Sequence, residues 1–168
     1  SFTTQPLVGD LVAYYKMDEG TGTSLTDASS MGNHGTINGA VPIWVSGING
    51  LAQSFDGTTQ YDQVPDANSL DITNAITMAA WIKCEYTVNT TQRILAKTIM
   101  RQGTTAVGID GYELSLSSAG KVFVRFNQQT NSEVLRLNSI TNYPLSGSAW
   151  MHVAATYDGT NIKIYING

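Results

Sequence analysis

Apolar and polar residues alternate with a period of two late in the chain. In KVFVRFN, residues 121–127, two valines and a phenylalanine share one face, and the residues between them share the other. In IKIYI, residues 162–166, three isoleucines oppose a lysine and a tyrosine. Alternation of this kind is typical of antiparallel strands with one side buried. Both segments are therefore predicted to be strands of an antiparallel sheet.

The rest of the chain supports an all-β fold. Short segments rich in Val, Ile, Tyr, Thr and Phe recur between clusters of Gly, Asn, Asp and Ser, and no sustained helical period is present. SSAGK and YDGTN are hairpin-turn sequences. The pattern indicates an antiparallel sandwich or barrel. The predicted strands are Val12–Met17, Thr36–Val41, Leu51–Phe55, Asp62–Val64, Ile76–Lys83, Arg93–Lys97, Tyr112–Ser117, Lys121–Asn127, Val134–Asn138, Met151–Asp158 and Ile162–Ile166.

Composition bounds the classes of function. The 168 residues are 42% hydrophobic and 13% charged, which favours one folded domain over residues 1–168. The net charge is −4 and the basic residues are scattered singly, so neither nucleic acid nor an anionic membrane is an expected partner. Apolar runs are too short for membrane insertion. Cys84 is the only cysteine, so no intrachain disulfide can form.

An oxygen-rich loop, DASSMGNHG at residues 27–35, lies between two strand-like segments. Calcium takes six to eight oxygen ligands from carboxylates, amides and turn carbonyls. Asp27 offers a carboxylate, Asn33 an amide oxygen, and Gly32 and Gly35 let carbonyls turn inward. The loop is therefore a candidate calcium site. The alternative is an Asx-turn loop, in which Asp27 and Asn33 bond to their own backbone.

Six motifs in a fixed order carry a resemblance to a known family. They are GDLVAYYKMDEGTGT (9–23), DASSMGNHGTING (27–39), AQSFDGTTQYDQVPD (52–66), SLDITNAITMAAWIK (69–83), ILAKT (94–98) and WMHVAATYDGTNIKIYING (150–168). Together they cover nearly the whole chain and resemble the laminin-G-like, concanavalin A-like jelly-roll domains of bacterial secreted proteins. The resemblance implies a β-sandwich, two antiparallel sheets packed face to face, in agreement with the strand pattern.

The same resemblance bears on the loop and on the end of the sequence. Similar domains often carry a structural calcium at the segment that matches DxSxxGNxG, and they continue with further strands, one of them acidic. The sequence stops at YING, where Asn-Gly is a strong hairpin signal without a returning strand. We therefore expect the C-terminal strands of the sandwich to come from a segment outside this sequence or from another chain; a frayed end is the alternative.

Aromatic and polar residues on the predicted strands are candidates for glycan binding. A sugar-binding surface stacks aromatic rings against the C–H side of a pyranose and adds polar side chains for its hydroxyls. A solvated polar face explains most of these residues equally well, and that alternative stays open. The candidates are Trp81, Lys97, Tyr112, Arg125, Asn127 and Tyr165.

The sequence shows no catalytic constellation. Jelly-roll glycosidases use two carboxylates that flank the scissile bond, and on a strand such acids occupy alternating positions. None of the four Glu residues has an acidic partner two or four residues away. A nucleophile elbow, a phosphate loop and zinc spacings are also absent. The chain is therefore predicted not to be an enzyme.

These observations lead to three hypotheses about function. We expect a carbohydrate-binding module of a larger secreted or cell-surface bacterial protein, with a structural calcium ion and a glycan or extracellular protein as partner. An adhesive or structural module that binds protein or spaces other domains is the alternative. A jelly-roll glycoside hydrolase or lyase is the third, and the fold alone does not choose among them.

Overall fold

β-Strands make up most of the regular structure in a computed structural model of the chain. Within the described residues there is one short 3-10 turn, no α-helix, and hence no helix that could span a membrane. The all-β prediction is therefore confirmed. The chain divides between Ile72 and Thr73 into two compact units, and the prediction of one domain over residues 1–168 stays a prediction. The described residues are 11–84, 90–100, 109–127, 134–143, 147 and 149–168.

The first unit contains two small antiparallel sheets. One has the order β1-β2-β5, and the other is the hairpin β3-β4. Leu25 and Ile37 are the large apolar side chains that the first sheet buries, at 2% and 5% exposed. The elements are β1 (Ser24–Leu25), β2 (Gly35–Asn38), β3 (Ile43–Ser46), β4 (Leu51–Ser54), β5 (Tyr61–Gln63) and the 3-10 turn Asn68–Leu70.

The predictions for this unit differ from the structure near its start. Val12–Met17, predicted as a strand, contributes only an isolated bridge from Tyr15 to Asp27, and Met17 has a φ of 57°. A positive φ is incompatible with an extended strand, so the segment turns there. The strands β1 and β3 were not predicted, because one has two residues and the other, IWVS, shows no alternation.

The second unit is built from two larger antiparallel sheets. Their strand orders are β10-β9-β8-β7 and β12-β11-β6. Each strand of these sheets begins and ends within a few residues of its predicted bounds, and the longest strands extend beyond those bounds. The strands are β6 (Ile76–Ile82), β7 (Gln92–Met100), β8 (Ile109–Leu116), β9 (Lys121–Asn127), β10 (Val134–Asn142), β11 (Met151–Tyr157) and β12 (Ile162–Ile166).

A buried apolar cluster joins these two sheets. The four-stranded sheet contributes residues of β8 and β9, and the three-stranded sheet contributes residues of β6 and β11. The three isoleucines of β12 pack against the same cluster. The second unit is thus a two-sheet sandwich, and the predicted alternation in β9 and β12 is confirmed. The cluster consists of Met78, Leu114, Leu116, Val122, Val124, Tyr143, Val153 and Ala155.

Tyr143 ties the end of β10 to the end of β6 through this core. Its side chain is 1% exposed; its O–H donates to the carbonyl of Ile82 at 3.1 Å and accepts from the N–H of Cys84 at 3.1 Å. Burial raises the pKa of the Tyr143 phenol, so the hydroxyl stays protonated and able to donate at neutral pH. The hydroxyl therefore serves as donor and acceptor at once.

Replacing Tyr143 with phenylalanine is expected to lower the free energy of unfolding by about 1–3 kcal/mol, because two buried backbone groups lose their partner. Urea denaturation followed by tryptophan fluorescence measures the change. Tyr157→Phe is the matched control, since its O–H donates to the Gly159 carbonyl in an exposed position. Equal stability of the two variants would contradict the role of Tyr143.

Candidate functional site

The loop at residues 27–35 is organised around the carboxylate of Asp27, which is 4% exposed. Its Oδ1 accepts the backbone N–H groups of Tyr14 and Ser29, both at 2.8 Å. Its Oδ2 accepts the Ser29 hydroxyl at 2.7 Å and the Asn33 N–H at 2.8 Å. Burial alone raises the pKa of Asp27, but these hydrogen bonds outweigh it and hold the pKa below its usual range.

Asn33 is equally committed to hydrogen bonds within the first unit. Its side-chain amide donates to the carbonyl of Val12 at 2.7 Å, and its Oδ1 accepts the Ser69 hydroxyl at 2.9 Å. Its backbone carbonyl accepts the Tyr15 hydroxyl at 2.7 Å. The residue therefore connects the loop to the segment before it and to the 3-10 turn.

The two glycines of the loop have separate structural roles. Gly32 has a φ of 68°, and its carbonyl accepts the N–H of His34 at 2.8 Å, which closes a tight turn. Gly35 is the first residue of β2, where an added Cβ would lie 2.7 Å from the carbonyl oxygen of Gln63 on β5. Its missing side chain therefore permits the close pairing of these strands.

Hydrogen bonds already engage the oxygens of three of the four predicted calcium ligands, Asp27, Asn33 and Gly32, and calcium at this loop stays a prediction. N–H and O–H groups point at both oxygens of Asp27, and a positive ion needs the lone pairs that these donors occupy. The oxygens that Asn33 and Gly32 would offer also accept hydrogen bonds. Among the described residues, no group of three or more His, Cys, Asp or Glu side chains is placed to hold a metal. The geometry favours the alternative interpretation, an Asx-turn loop.

Asp62 and Glu19 form an acidic pair elsewhere in the first unit. Asp62 on β5 is the cross-strand partner of Ile37, and both of its carboxylate oxygens are buried without a hydrogen-bond partner among the described residues. Glu19 accepts the N–H of Thr26 through Oε1 at 2.8 Å. Burial, followed by the negative charge of Glu19, raises the pKa of Asp62 to about 6. Sequence reasoning missed this pair because the acids are distant along the chain.

The outer face of the three-stranded sheet carries an exposed tryptophan. Trp81 on β6 is 51% exposed, and its ring meets that of His152 edge-on at a centroid distance of 5.2 Å. Trp81 and His152 are cross-strand partners, as are Ala154 and Tyr165 on the other side of β11. Because cross-strand partners and alternate residues share a face, all four side chains lie on this surface.

Asn167 completes this surface beside His152. Its Oδ1 accepts the His152 N–H at 3.0 Å, and its own N–H donates to the His152 carbonyl at 2.8 Å. Asn167 and Gly168 have φ angles of 59° and 99°, as the Asn-Gly hairpin signal predicts. A depression of about 470 Å³ is lined by Trp81, His152, Asn167 and Gly168. We call the surface formed by Trp81, His152, Ala154, Tyr165 and Asn167 the aromatic face.

The other predicted ligand residues are on the four-stranded sheet. Arg125 forms a salt bridge with Glu113, which is 1% exposed. Tyr112 packs against the apolar core, and Lys97 is its cross-strand partner. Asn127 pairs with Gly111 and Val134 in the sheet, and its side chain lies outside the described structure.

The six predicted residues therefore do not share one surface, and this correction has a physical reason. Antiparallel register turns Tyr112 toward the core and sets Arg125 directly opposite a buried carboxylate. Trp81 and Tyr165 are the two that the structure brings to a common face. His152 and Asn167 were missed, although His152 lies within β11, and alternation places it on the opposite face of the strand from the buried Val153.

Comparison with known proteins agrees with this architecture. Residues 56–168, more than half of the chain, match the Concanavalin A-like lectin/glucanases superfamily. A crystal structure of an S-layer domain-containing protein (residues 221–444) from Clostridium thermocellum is similar, with a TM-score of 0.58, 25% sequence identity, and coverage of 92% of this chain and 68% of that chain. No curated protein gives a significant match. The chain belongs to the concanavalin A-like lectin/glucanase superfamily, as its motifs predicted.

Proposed function

We propose that this chain is a non-catalytic carbohydrate-binding module whose site is the aromatic face. The observation that carries the proposal is the half-exposed indole of Trp81, which is fixed by its edge-on contact with His152. A large apolar ring held open to solvent costs hydration free energy, and lectin-type surfaces recover that energy when a sugar covers the ring. The superfamily, which includes lectins, is consistent with this role.

The arrangement of the aromatic face suits a pyranose ring. Trp81 and Tyr165 lie on strands two spacings apart, about 10 Å, with β11 between them. Ala154 is small and 8% exposed, so it forms a low floor between the two aromatic rings. The amide nitrogen of Asn167 contacts the sulfur of Met151 at 3.3 Å, a weak acceptor that a sugar hydroxyl can replace.

The carboxylates of the described structure support a non-catalytic role. Hydrolysis of a glycoside needs two carboxyl groups that reach opposite sides of an accessible bond. In the Glu19–Asp62 pair, the Asp62 oxygens and Oε2 of Glu19 are shielded from solvent. Glu113 is engaged by Arg125 and by the hydroxyl of Ser115 at 2.7 Å. In neither arrangement can a substrate reach two carboxyl groups at once.

The similar structure favours a second candidate function. It belongs to an S-layer domain-containing protein, so an adhesive or structural module at the bacterial cell surface is a specific alternative for this chain. In that case the aromatic face would contact a protein rather than a glycan. A secreted or surface location is part of both proposals.

We expect wild-type protein to be retarded in affinity electrophoresis by at least one polysaccharide in a panel of soluble bacterial and plant glycans. Trp81→Ala is expected to weaken that binding about 30-fold, because a central aromatic contact is worth about 2 kcal/mol. Trp81→Phe keeps an apolar ring and is expected to retain part of the affinity. Isothermal titration with the retarded glycan measures the change.

Tyr61→Ala is the matched control, because Tyr61 is a 55%-exposed aromatic residue on β5 of the other unit. It is expected to leave glycan affinity unchanged. Equal binding by wild type and Trp81→Ala would place the glycan site elsewhere. If no glycan in the panel binds the wild type, the adhesive alternative is favoured, and capture of purified surface-layer protein is the next assay.

A further inference from the structure

Basic residues that are scattered singly along the sequence converge on the outer surface of the four-stranded sheet. Leu114 of β8 and Val124 of β9 face the apolar core, so the residues that alternate with them face outward, together with their cross-strand partners. The ammonium of Lys121 is engaged there by the carbonyl of Ile140 at 2.5 Å. Four of the nine Lys and Arg residues of the chain lie on this surface: Arg93, Lys121, Arg125 and Arg136.

A continuous series of contacts connects the three arginines. Nε of Arg93 lies 3.8 Å from Oε1 of Glu113, and Arg125 forms a salt bridge with the other oxygen of the same carboxylate. The guanidinium groups of Arg125 and Arg136 lie over the ring of Phe123, at 6.0 and 3.9 Å from its centroid. We call the surface formed by Arg93, Glu113, Phe123, Arg125 and Arg136 the arginine face.

The arginine face carries positive charge that the described residues do not compensate. Arg125 engages its one carboxylate, Glu113, through two nitrogens, which leaves the charges of Arg93 and Arg136. Arg93 is 62% exposed, and Arg136 is exposed directly opposite Arg125. Like charges that face each other across two strands destabilise a sheet. In a chain of net charge −4, such a concentration of cations indicates an anionic ligand.

Arg136 is held in a geometry that suits a carboxylate. Its guanidinium stacks on Phe123, which is 1% exposed, and its Nε donates to Oδ1 of Asn138 at 3.1 Å. The terminal nitrogens of a guanidinium form a fork that matches the two oxygens of a carboxylate. Because the oxygen of Asn138 is engaged, its amide nitrogen can donate to a hydroxyl beside that carboxylate. A carboxylate next to a hydroxyl is the chemistry of a uronic acid.

We propose that the arginine face binds a polyuronate, an acidic polysaccharide with a carboxylate on each sugar unit. Arg93 and Arg136 lie on β7 and β10, three strand spacings or about 14 Å apart at the backbone. The Glu113–Arg125 pair lies between them, so a ligand that engages both needs two acidic groups on one chain. Nucleic acid is a poorer fit, because its dense charge requires more cations than two.

This site is distinct from the aromatic face. The aromatic face lies on the three-stranded sheet and presents rings to a sugar, whereas the arginine face lies on the four-stranded sheet and selects by charge. Arg125 does not contact the ligand in this proposal, because Glu113 occupies its guanidinium. Failure of glycan binding at Trp81 would therefore leave this inference intact, and the reverse is also true.

We expect wild-type protein to bind polygalacturonate or alginate in isothermal titration at low ionic strength, and to bind more weakly as salt is added. Arg93→Gln and Arg136→Gln should each weaken binding about fivefold, as is typical of an exposed ion pair, and the double variant at least about tenfold. Arg136→Lys, which keeps the charge without the fork, should retain part of the affinity. Lys163→Gln is the matched control, because Lys163 is an exposed cation on β12 of the other sheet.

The same titrations in a Trp81→Ala background separate the two sites, and the arginine variants should lose the same factor there. Fully methyl-esterified polygalacturonate keeps the sugar rings without their charge and should not bind the Trp81→Ala protein. Absence of binding of both acidic polymers to wild type, or equal affinity of wild type and the double variant, overturns the proposal. So does an equal loss in Lys163→Gln, binding of the esterified polymer to Trp81→Ala, or tighter binding of polyglutamate than of either polysaccharide.

Discussion

Asp27→Ala is expected to lower the free energy of unfolding by about 3–5 kcal/mol, one of the two largest effects of a single substitution in this protein. The change leaves the N–H groups of Tyr14, Ser29 and Asn33 without their acceptor. Each unpaired donor costs about 1–3 kcal/mol where water does not reach it. For a chain of this length, the melting temperature should fall by about 10 °C.

Two further variants define the cause. Asp27→Asn keeps one acceptor oxygen but turns an NH₂ group toward the remaining donors, so its loss should be nearly as large. Ser30→Ala, at an exposed position of the same loop, should have little effect. Because these losses arise from hydrogen bonds, the difference between each variant and wild type should be the same in EDTA and in calcium. A deficit seen only in calcium would make Asp27 a metal ligand.

The loss of stability at acid pH gives an independent check on the role of Asp27. The pKa of Asp27 is lower in the folded protein than its usual value of about 3.9. Its contribution to stability is therefore complete above the unfolded pKa and is lost as the pH falls through the folded one. Asp27→Ala should consequently lose less stability between pH 5 and pH 2 than wild type does. Identical acid limbs would contradict the hydrogen-bond account.

The strands that the sequence predicts well are those whose two sides differ. In β9 and β12, alternate residues face the core and the outside, so the sequence alone shows a period of two. Alternation was weaker evidence for β3, where Ile43 is 71% exposed and an apolar residue does not mark the buried side. The two-residue β1 exists because it pairs with β2, which no local pattern reveals.

The sites were only partly predictable for a related reason. Alternation along β6 and β12 assigns Trp81 and Tyr165 each to one face of its own strand. Only the pairing of both strands with β11 shows that the two side chains lie on the same face of the sheet. The proximity of Glu19 to Asp62 depends on how a loop packs against a strand far along the chain. The sequence analysis compared acidic residues two or four positions apart on one strand. It therefore missed a pair that tertiary packing brings together.

Arg125 illustrates how register changes the meaning of a residue. As a polar residue on a strand it was a candidate for binding sugar hydroxyls. In the structure its guanidinium contacts Oε2 of Glu113 through two nitrogens, and Glu113 is 1% exposed. Glu113 also accepts the hydroxyl of Ser115. The arginine therefore neutralises a buried charge within the sheet and is not free for a ligand.

Arg125→Ala is accordingly expected to cost about 3–5 kcal/mol in the free energy of unfolding, because it leaves the carboxylate of Glu113 buried without its charge partner. Arg93 does not compensate, since its Nε is 3.8 Å from Oε1 and its side chain is 62% exposed. Arg136→Ala is the matched control. Arg136 stacks over Phe123 at 3.9 Å on an exposed position and should cost less than about 1 kcal/mol.

A double-mutant cycle separates the charge from the packing. Glu113→Leu alone should cost less than Arg125→Ala, because Arg125 is 15% exposed and can turn its charge toward water. In Glu113→Leu with Arg125→Met, no charge is left buried and the volume is largely kept, so much of the stability should return. Urea denaturation of wild type, Glu113→Leu, Arg125→Met and the double variant gives a coupling energy, expected to be about 2–3 kcal/mol. Additive losses would show that the pair contributes packing alone, and would release Arg125 again as a candidate for ligand binding.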